Sequence, residues 1–272
     1  MNTRRSAVFC SGIVLSLGLM IGCGKSEEPA PARVAPPTAS VAPAAAPATS
    51  NSSSAAAAAT PSKSFAVAEA GNASFLIDAP LEKIKGTATR FRGNLEIDPA
   101  KLSATRGQVD VDLKTLKTTT FDEAEKNTKQ TEHAQNWFEL GNDVEAKQRE
   151  ENQWARFTIK SVKSSGPDNL AEVKEVDGAR TIEITAEGDL WLHGATAAKT
   201  VKLSVSFKGA PDAPSSVQVK TVEPIAVSLE AHSVKPRDVA GKFLQGTLEK
   251  IGKKIDDKVQ VSLDFPAAIK KP

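Results

Sequence analysis

The sequence predicts an all-β fold, an antiparallel barrel or sandwich carrying one solvated helix, and three observations support it. About eight segments alternate apolar and polar residues, as strands with one dry face do. The clearest runs from Thr181 to Phe207 and reads as a hairpin. Ile182, Ile184, Ala186, Leu190 and Leu192 share one parity, and Val201, Leu203, Val205 and Phe207 resume the pattern beyond the His193-Gly194 turn. No strand–helix alternation of the kind that builds parallel sheets occurs. A closed barrel of about eight strands is either filled by its own side chains or wide enough for one small ligand, and the pattern fits both.

The chain has 272 residues, and its first quarter is of a different kind from the rest. Met1 to Cys23 has a basic start at Arg4-Arg5, an apolar stretch from Ile13 to Ile21 and a small residue, Gly22, at its end. That is the make-up of a secretory signal, too short for a stable transmembrane helix. Leu19-Met20-Ile21-Gly22-Cys23 resembles a bacterial lipobox, so residues 1–22 are expected to be removed as a lipoprotein signal peptide and Cys23 to be acylated. Gly24 to Lys63 is almost wholly Ala, Pro, Ser, Thr and Glu, which cannot bury enough surface to offset ordering entropy. Residues 23–63 are therefore expected to be a tether, spanning roughly 35 Å root-mean-square as a flexible coil. The folded domain is expected over residues 64–272. Cys10 and Cys23 both precede it, so no disulfide is expected inside it.

Within the domain, Ala73 to Ile77 reads as a first strand that Pro80 ends. Gly86 to Asp98 and Gly107 to Leu116 follow, with Asp98-Pro99 as the turn between them and Val109, Val111 and Leu113 on one face of the second. Phe121 to Leu140 is dominated by charged and amide side chains, has Thr120 or Asp122 as candidate caps, and ends in Trp137-Phe138. It is predicted to be a solvated helix pinned to the sheet at its C-terminal end. Trp154 to Val162 reads as a strand, and polar Lys163 to Ala179 as an exposed loop. After the hairpin come strands at Val217 to Val222, Ile225 to Ala231 and Val259 to Phe265. Pro236 to Asp257 holds apolar residues loosely at helical spacing, interrupted by glycines, and reads as a short helix or a partly ordered lid.

Composition narrows the function. There are 35 Lys and Arg against 33 Asp and Glu, and setting aside Arg4 and Arg5 leaves the two signs equal. A neutral mature protein has no global field to attract polyphosphate, and ten Phe, three Trp and no Tyr supply few stacking platforms, so nucleic acid is not an expected partner. His133, His193 and His232 stand apart with no metal-ligand spacing, and no nucleophile signature is present, so neither a metal site nor an enzyme is expected. Asp110 and Asp112, like Glu183, Glu187 and Asp189, read as the wet side of their strands. Trp137, Trp154 and Trp191 could line a pocket mouth or cover the outside, and Trp191 shares parity with charged neighbours, which favours the outside. The run Lys250 to Lys258 is interrupted by Asp256 and Asp257 and reads as a solvated face.

An ordered set of segments resembles the YceI family of periplasmic, lipocalin-like proteins. GTATRFRGNLEID is similar to the family's opening strand, and VDVDLKTLKT, NWFEL and ARFTIKSV follow in order. EGDLWLHGATAAKTVKLSVSF is the most specific piece, and DKVQVSLDF closes the set. The resemblance implies an antiparallel lipocalin-like barrel with a long apolar cavity for polyisoprenoids or isoprenoid quinones, and no cofactor beyond such a bound lipid. Candidate lining residues are Phe91, Leu95, Val109, Val111, Leu113, Phe157, Ile159, Ile182, Ile184, Val201, Leu203, Val205, Phe207, Val227, Leu229, Val261 and Leu263. A wall of this composition offers dispersion and area without specific polar handles, as an alkyl or isoprenyl chain requires. The expected protein is an envelope lipoprotein, held by its lipid anchor at the outer membrane and facing the periplasm, with the lipid as partner. The alternative is a solid barrel acting as an envelope scaffold or stress-related interaction protein through its outer face. No protein partner is indicated, and a homodimer stays open.

Overall fold

The computed structural model describes residues 62–78, 83–234 and 257–270. The signal peptide, Cys23 and all but the last two residues of the expected tether lie outside the described residues, as does the expected helix or lid between Pro236 and Asp257 apart from Asp257 itself.

The described residues form one sheet of twelve strands. These are β1 (Lys63–Val67), β2 (Ala70–Asp78), β3 (Lys83–Ile97), β4 (Arg106–Asp112), β5 (Lys117–Thr118) and β6 (Trp154–Ser164), followed by β7 (Glu175–Val176), β8 (Ala179–Leu192), β9 (Ala195–Ala210), β10 (Ala213–Thr221), β11 (Ile225–Ser228) and β12 (Lys258–Ile269). Two helices, α1 (Ala124–Trp137) and α2 (Ala146–Asn152), lie between β5 and β6. Every pairing is antiparallel, and the sheet closes on itself. β12 pairs with β10 and β11 on one side and with β1 and β2 on the other. β3 in turn pairs with both β1 and β2. Thus β1 and β2 act as one stave bent at Ala68-Glu69, and β10 and β11 as another bent at Val222 to Pro224. The result is an antiparallel, lipocalin-like barrel of eight staves, whose closure removes the open edges a flat sheet would present.

The organising hairpin is β8 and β9. They stay in register from Ala179↔Lys208 to Leu192↔Ala195, and the two-residue turn has positive φ at both His193 (49°) and Gly194 (79°). That mirror-image turn suits the twist of the strands it joins. Two glycines let aromatic rings into the wall. A Cβ on Gly86 would sit 2.5 Å from Phe75 Cζ, and one on Gly188 would sit 2.8 Å from Phe157 Cζ, so each ring occupies the place of a missing side chain.

One end of the barrel is plugged. Single-turn 3-10 segments at Leu102–Ala104 and Leu170–Glu172 send Leu102 and Leu170 into the main apolar core, the latter fully buried. Asp168 ties the two segments: its carboxylate accepts from Ser103 N (2.6 Å) and Ser103 Oγ (2.7 Å), and its carbonyl accepts from Leu102 N (2.7 Å). The stretch from Lys163 to Ala179 is therefore not simply an exposed loop. It contains the end of β6, this plug and β7. A lone Leu170 among polar residues has no periodicity to announce its burial.

The opposite end carries the helices. α1 is shorter than Phe121 to Leu140, and neither Thr120 nor Asp122 caps it. Its N-cap position is Glu123, without a side-chain cap bond. The entry turn is held by Asn127, which accepts from Phe121 N (2.9 Å) and donates to Phe121 O (2.7 Å), while Thr120 Oγ1 accepts from Lys85 N (3.1 Å). α1 buries Gln130, Ala134 and Trp137, a narrow face consistent with its polar composition. Leu113 leaves the strand pattern for a 3-10 turn because the Asp112 carboxylate accepts from Lys114 N (2.9 Å). β5 then pairs with β3 as a continuation of the same stave.

Candidate functional site: an apolar cavity inside the barrel

The inward residues of the staves do not fill the barrel. They surround a cavity of about 220 Å³, larger than the roughly 150 Å³ that is enough to admit a benzene ring in a protein core. The wall draws Ala73, Phe75 and Ile77 from β2, Val109 and Val111 from β4, Phe157 and Ile159 from β6, and Val259, Val261 and Leu263 from β12. Trp137 and Phe138, at the end of α1, close over it. Among the described lining residues, Trp137 offers an indole N–H, and the other polar side chains are Thr105 and Lys199. A wall of this kind attracts by dispersion and by removing apolar surface from water, at about 0.8 kcal/mol per CH₂ transferred. It has almost nothing with which to fix a compact polar ligand, and it suits a hydrocarbon chain.

Polar side chains gather instead at the helical rim. Glu139 Oε2 lies 3.4 Å from His193 Nε2 and accepts from Asn152 Nδ2 at 3.4 Å and from Gln148 Nε2. His193 Nδ1 meets His232 O at 3.3 Å, and His232 Nδ1 meets Ala195 O at 3.2 Å. These contacts tie the end of α1, α2, the β8–β9 turn and the 3-10 segment Glu230–His232 together. His232 is wholly buried, and that burial, aided by the nearby Lys199 charge, holds its imidazole below the usual histidine range against the opposing backbone hydrogen bonds. The three histidines do not converge on an ion site, and among the described residues no group of three or more His, Cys, Asp or Glu is placed to hold a metal.

A family model described as the YceI-like domain matches residues 59–267, most of the chain. The chain belongs to the YceI-like domain family. No curated protein matches it. Among solved structures, this YceI-like chain is similar to a polyisoprenoid binding domain from Saccharophagus degradans implicated in plant cell wall breakdown, with a TM-score of 0.48 and 15% identity over 76% of this chain and 99% of that one. It is also similar to BcnA of Burkholderia cenocepacia, with a TM-score of 0.47 and 15% identity over 73% and 96% of the two chains.

In this YceI-like barrel, the sequence-predicted lining residues Leu95, Val109, Val111, Leu113, Phe157, Ile159 and Ile184 face the cavity, as do Val201, Leu203, Val205, Phe207, Val227, Leu229, Val261 and Leu263. Phe91 and Ile182 do not. Phe91 is fully buried, stacks on Phe265 with ring centroids 5.4 Å apart and covers Gly71 at the bend of the β1–β2 stave. Ile182 packs into the main core beside Gly166, near the plug. The wall also includes residues the alternation did not single out, among them Trp137, Phe138, Thr105 and Lys199. Trp191 lies outside, as its parity predicts, with the Arg156 guanidinium 5.5 Å from its ring centre. Trp154 is likewise covered by Arg92, at 3.6 Å.

The same outer face corrects one expectation. Asp110 and Asp112 point away from the cavity, yet both are buried rather than wet. Asp110 accepts from Arg92 Nε (2.9 Å), Gln108 Nε2 (2.9 Å) and Arg156 Nε (3.3 Å), and Asp112 accepts from Gln153 Nε2 (2.9 Å). The long side chains that pair with them, two of them laid over Trp154 and Trp191, shut out the solvent.

Proposed function

We propose that this protein is an envelope-anchored lipid-binding protein that holds an amphiphile with a long apolar chain, a polyisoprenoid or isoprenoid quinone, in its barrel. The observation that carries this reading is the closed antiparallel barrel around an almost wholly apolar cavity. Membership of the YceI-like family and the polyisoprenoid-binding description of one solved relative agree with it. Moving a chain from a bilayer into such a wall exchanges one apolar surrounding for another, so uptake and release need little net free energy. With acylation at Cys23 and a tether running up to β1, the barrel serves local sequestration or hand-over at one membrane, taken to be the outer membrane on its periplasmic side. The scaffold alternative rests on the outer face alone and leaves the cavity without a purpose.

Trp137 provides the test, because it lines the cavity while Trp154 and Trp191 lie outside under arginines. A quinone bearing an isoprenoid tail is expected to quench saturably a component of the fluorescence that disappears in Trp137→Phe, and a tail-less quinone of equal concentration is expected to quench far less. Equal quenching by both compounds, unaffected by Trp137→Phe, would reject the cavity as a lipid site.

A further inference from the structure

On the side of β9 away from β8, the backbone ladder stops part-way along the wall. β9 pairs with β10 only from Leu203 onward, where Leu203 faces Thr221. Beyond Val222, whose N–H donates to Lys202 O at 3.0 Å, the chain turns at Glu223-Pro224 and continues as β11, which pairs with β12 and not with β9. Alternate residues of an antiparallel strand turn their backbone groups to alternate neighbours. Thr196, Ala198 and Thr200 therefore share the direction of Lys202, and among the described residues no backbone group meets theirs on that side. This seam ends at the helical rim, where His232 Nδ1 meets Ala195 O at 3.2 Å.

Side chains close the seam. On its inner face Ile225 of β11 packs against the cluster of Val162, Ala186 and Val201, and Val227 shares a cluster with Leu192. All four of Val201, Leu192, Ile225 and Val227 line the cavity, so a parting of β9 from β11 opens directly into it. On the outer face Lys199 Nζ donates to Ala226 O at 2.8 Å in an exposed position, so its stem borders the cavity while its tip stays in solvent. Laddered strands lie about 4.8 Å apart and bond backbone to backbone, whereas here a whole lysine side chain makes the connection. Separating two laddered staves breaks a row of backbone bonds. Separating β9 from β11 breaks none among the described residues, and only slides apolar side chains apart.

We propose that β9 and β11 form a lateral gate in the barrel wall, fastened by the strap from Lys199 to Ala226, through which an apolar chain enters and leaves the cavity sideways. This rests on the lipid-binding reading of the cavity and adds the route. The ends offer less: Asp168 braces the plug through Ser103 and Leu102, and Trp137 and Phe138 close over the cavity beneath α1. The seam runs along β9 from Thr196 to Val201, about 20 Å of strand at about 3.3 Å per residue, so a long chain is laid in along its length instead of being threaded through an end.

The test is kinetic. In the full chain carrying Cys10→Ser and Cys23→Ser, the substitutions Ala198→Cys and Ala226→Cys place thiols at exposed positions on either side of the seam, and a short bis-maleimide bridges them after folding. Loading is followed in stopped flow by Trp137 quenching with a naphthoquinone that bears a four-unit isoprenoid tail. The bridge is expected to slow loading and release by about tenfold or more with Kd little changed, and the same bridge between Thr181→Cys and Ser206→Cys, on laddered β8 and β9, to change neither. Lys199→Met, which removes the strap, is expected to load about threefold faster. Loading unchanged by the seam bridge, with the bridge confirmed by mass, would overturn the lateral route and leave the lipid reading standing, since the chain would then enter at an end. Equal slowing by the two bridges would overturn it as well, because general stiffening and not the seam would set the rate. Unbridged protein that takes up no probe would overturn both the gate and the lipid reading.

Discussion

The two ends of this barrel are closed by different means, and the contrast separates what holds the fold from what serves the cavity. At the plugged end, two short 3-10 segments are cross-braced by the backbone and carboxylate of Asp168, with Leu102 and Leu170 driven into the main core. At the helical end, closure depends on long side chains, on Glu139 meeting His193, and on non-glycine residues in the left-handed region, Glu139 (φ 56°), His193 (49°) and Ser233 (56°). The apolar clusters there are separate and smaller, built around Trp137 with Leu229 and Leu113 with Leu140. Buried leucine and short backbone bonds resist opening, whereas a rim of side-chain contacts opens locally at lower free energy.

Substitutions at the two ends should separate in size. The largest effect is expected from Leu170→Ala, which removes a fully buried side chain from the main core and should lower global stability by about 2–5 kcal/mol in denaturant unfolding. Asp168→Ala should cost about 1–3 kcal/mol by the same measurement, since the Ser103 amide and hydroxyl lose a charged acceptor in a partly buried place. Glu139→Gln, at the helical rim, should cost less than about 1 kcal/mol globally while raising hydrogen exchange in α1 and the adjoining turn. A global cost at Glu139 equal to that at Leu170 would break the contrast between the ends.

The helical end should also respond to pH in mildly acidic solution. Burial depresses the His232 imidazole below the ordinary value near 6.5, so the folded state binds fewer protons than the unfolded one in mildly acidic solution. Its contribution to stability is present above about pH 6.5 and is lost as pH falls through the depressed folded value. The expected outcome is a decline in melting temperature below that pH that flattens in His232→Gln, measured against the wild type at each pH.

Much of this architecture was legible as alternation. β8, β9 and β12 each keep one dry face, so period-2 patterning located both the strands and most of the cavity wall. The failures have physical causes. Ser62 and Lys63 resemble the tether in composition, yet Lys63 opens β1 by pairing with Ile97. Phe91 shares a strand with inward Ala88 but differs from it in parity, and the burial pattern of β3 shifts between them, so periodicity does not say what Phe91 faces. Asp110 and Asp112 look solvated because sequence does not reveal the arginines from neighbouring strands that cover them. Lys199 carries inward parity, but a charged residue in that position ends an apolar pattern instead of extending it.

The central claim is that the cavity holds an apolar chain, and native mass spectrometry of the full chain purified without detergent, paired with lipid extraction, tests it most directly. The account predicts a stoichiometric isoprenoid mass that survives purification, or one regained when an isoprenoid is added to stripped protein. Protein that is empty as isolated and that takes up no added isoprenoid would contradict it.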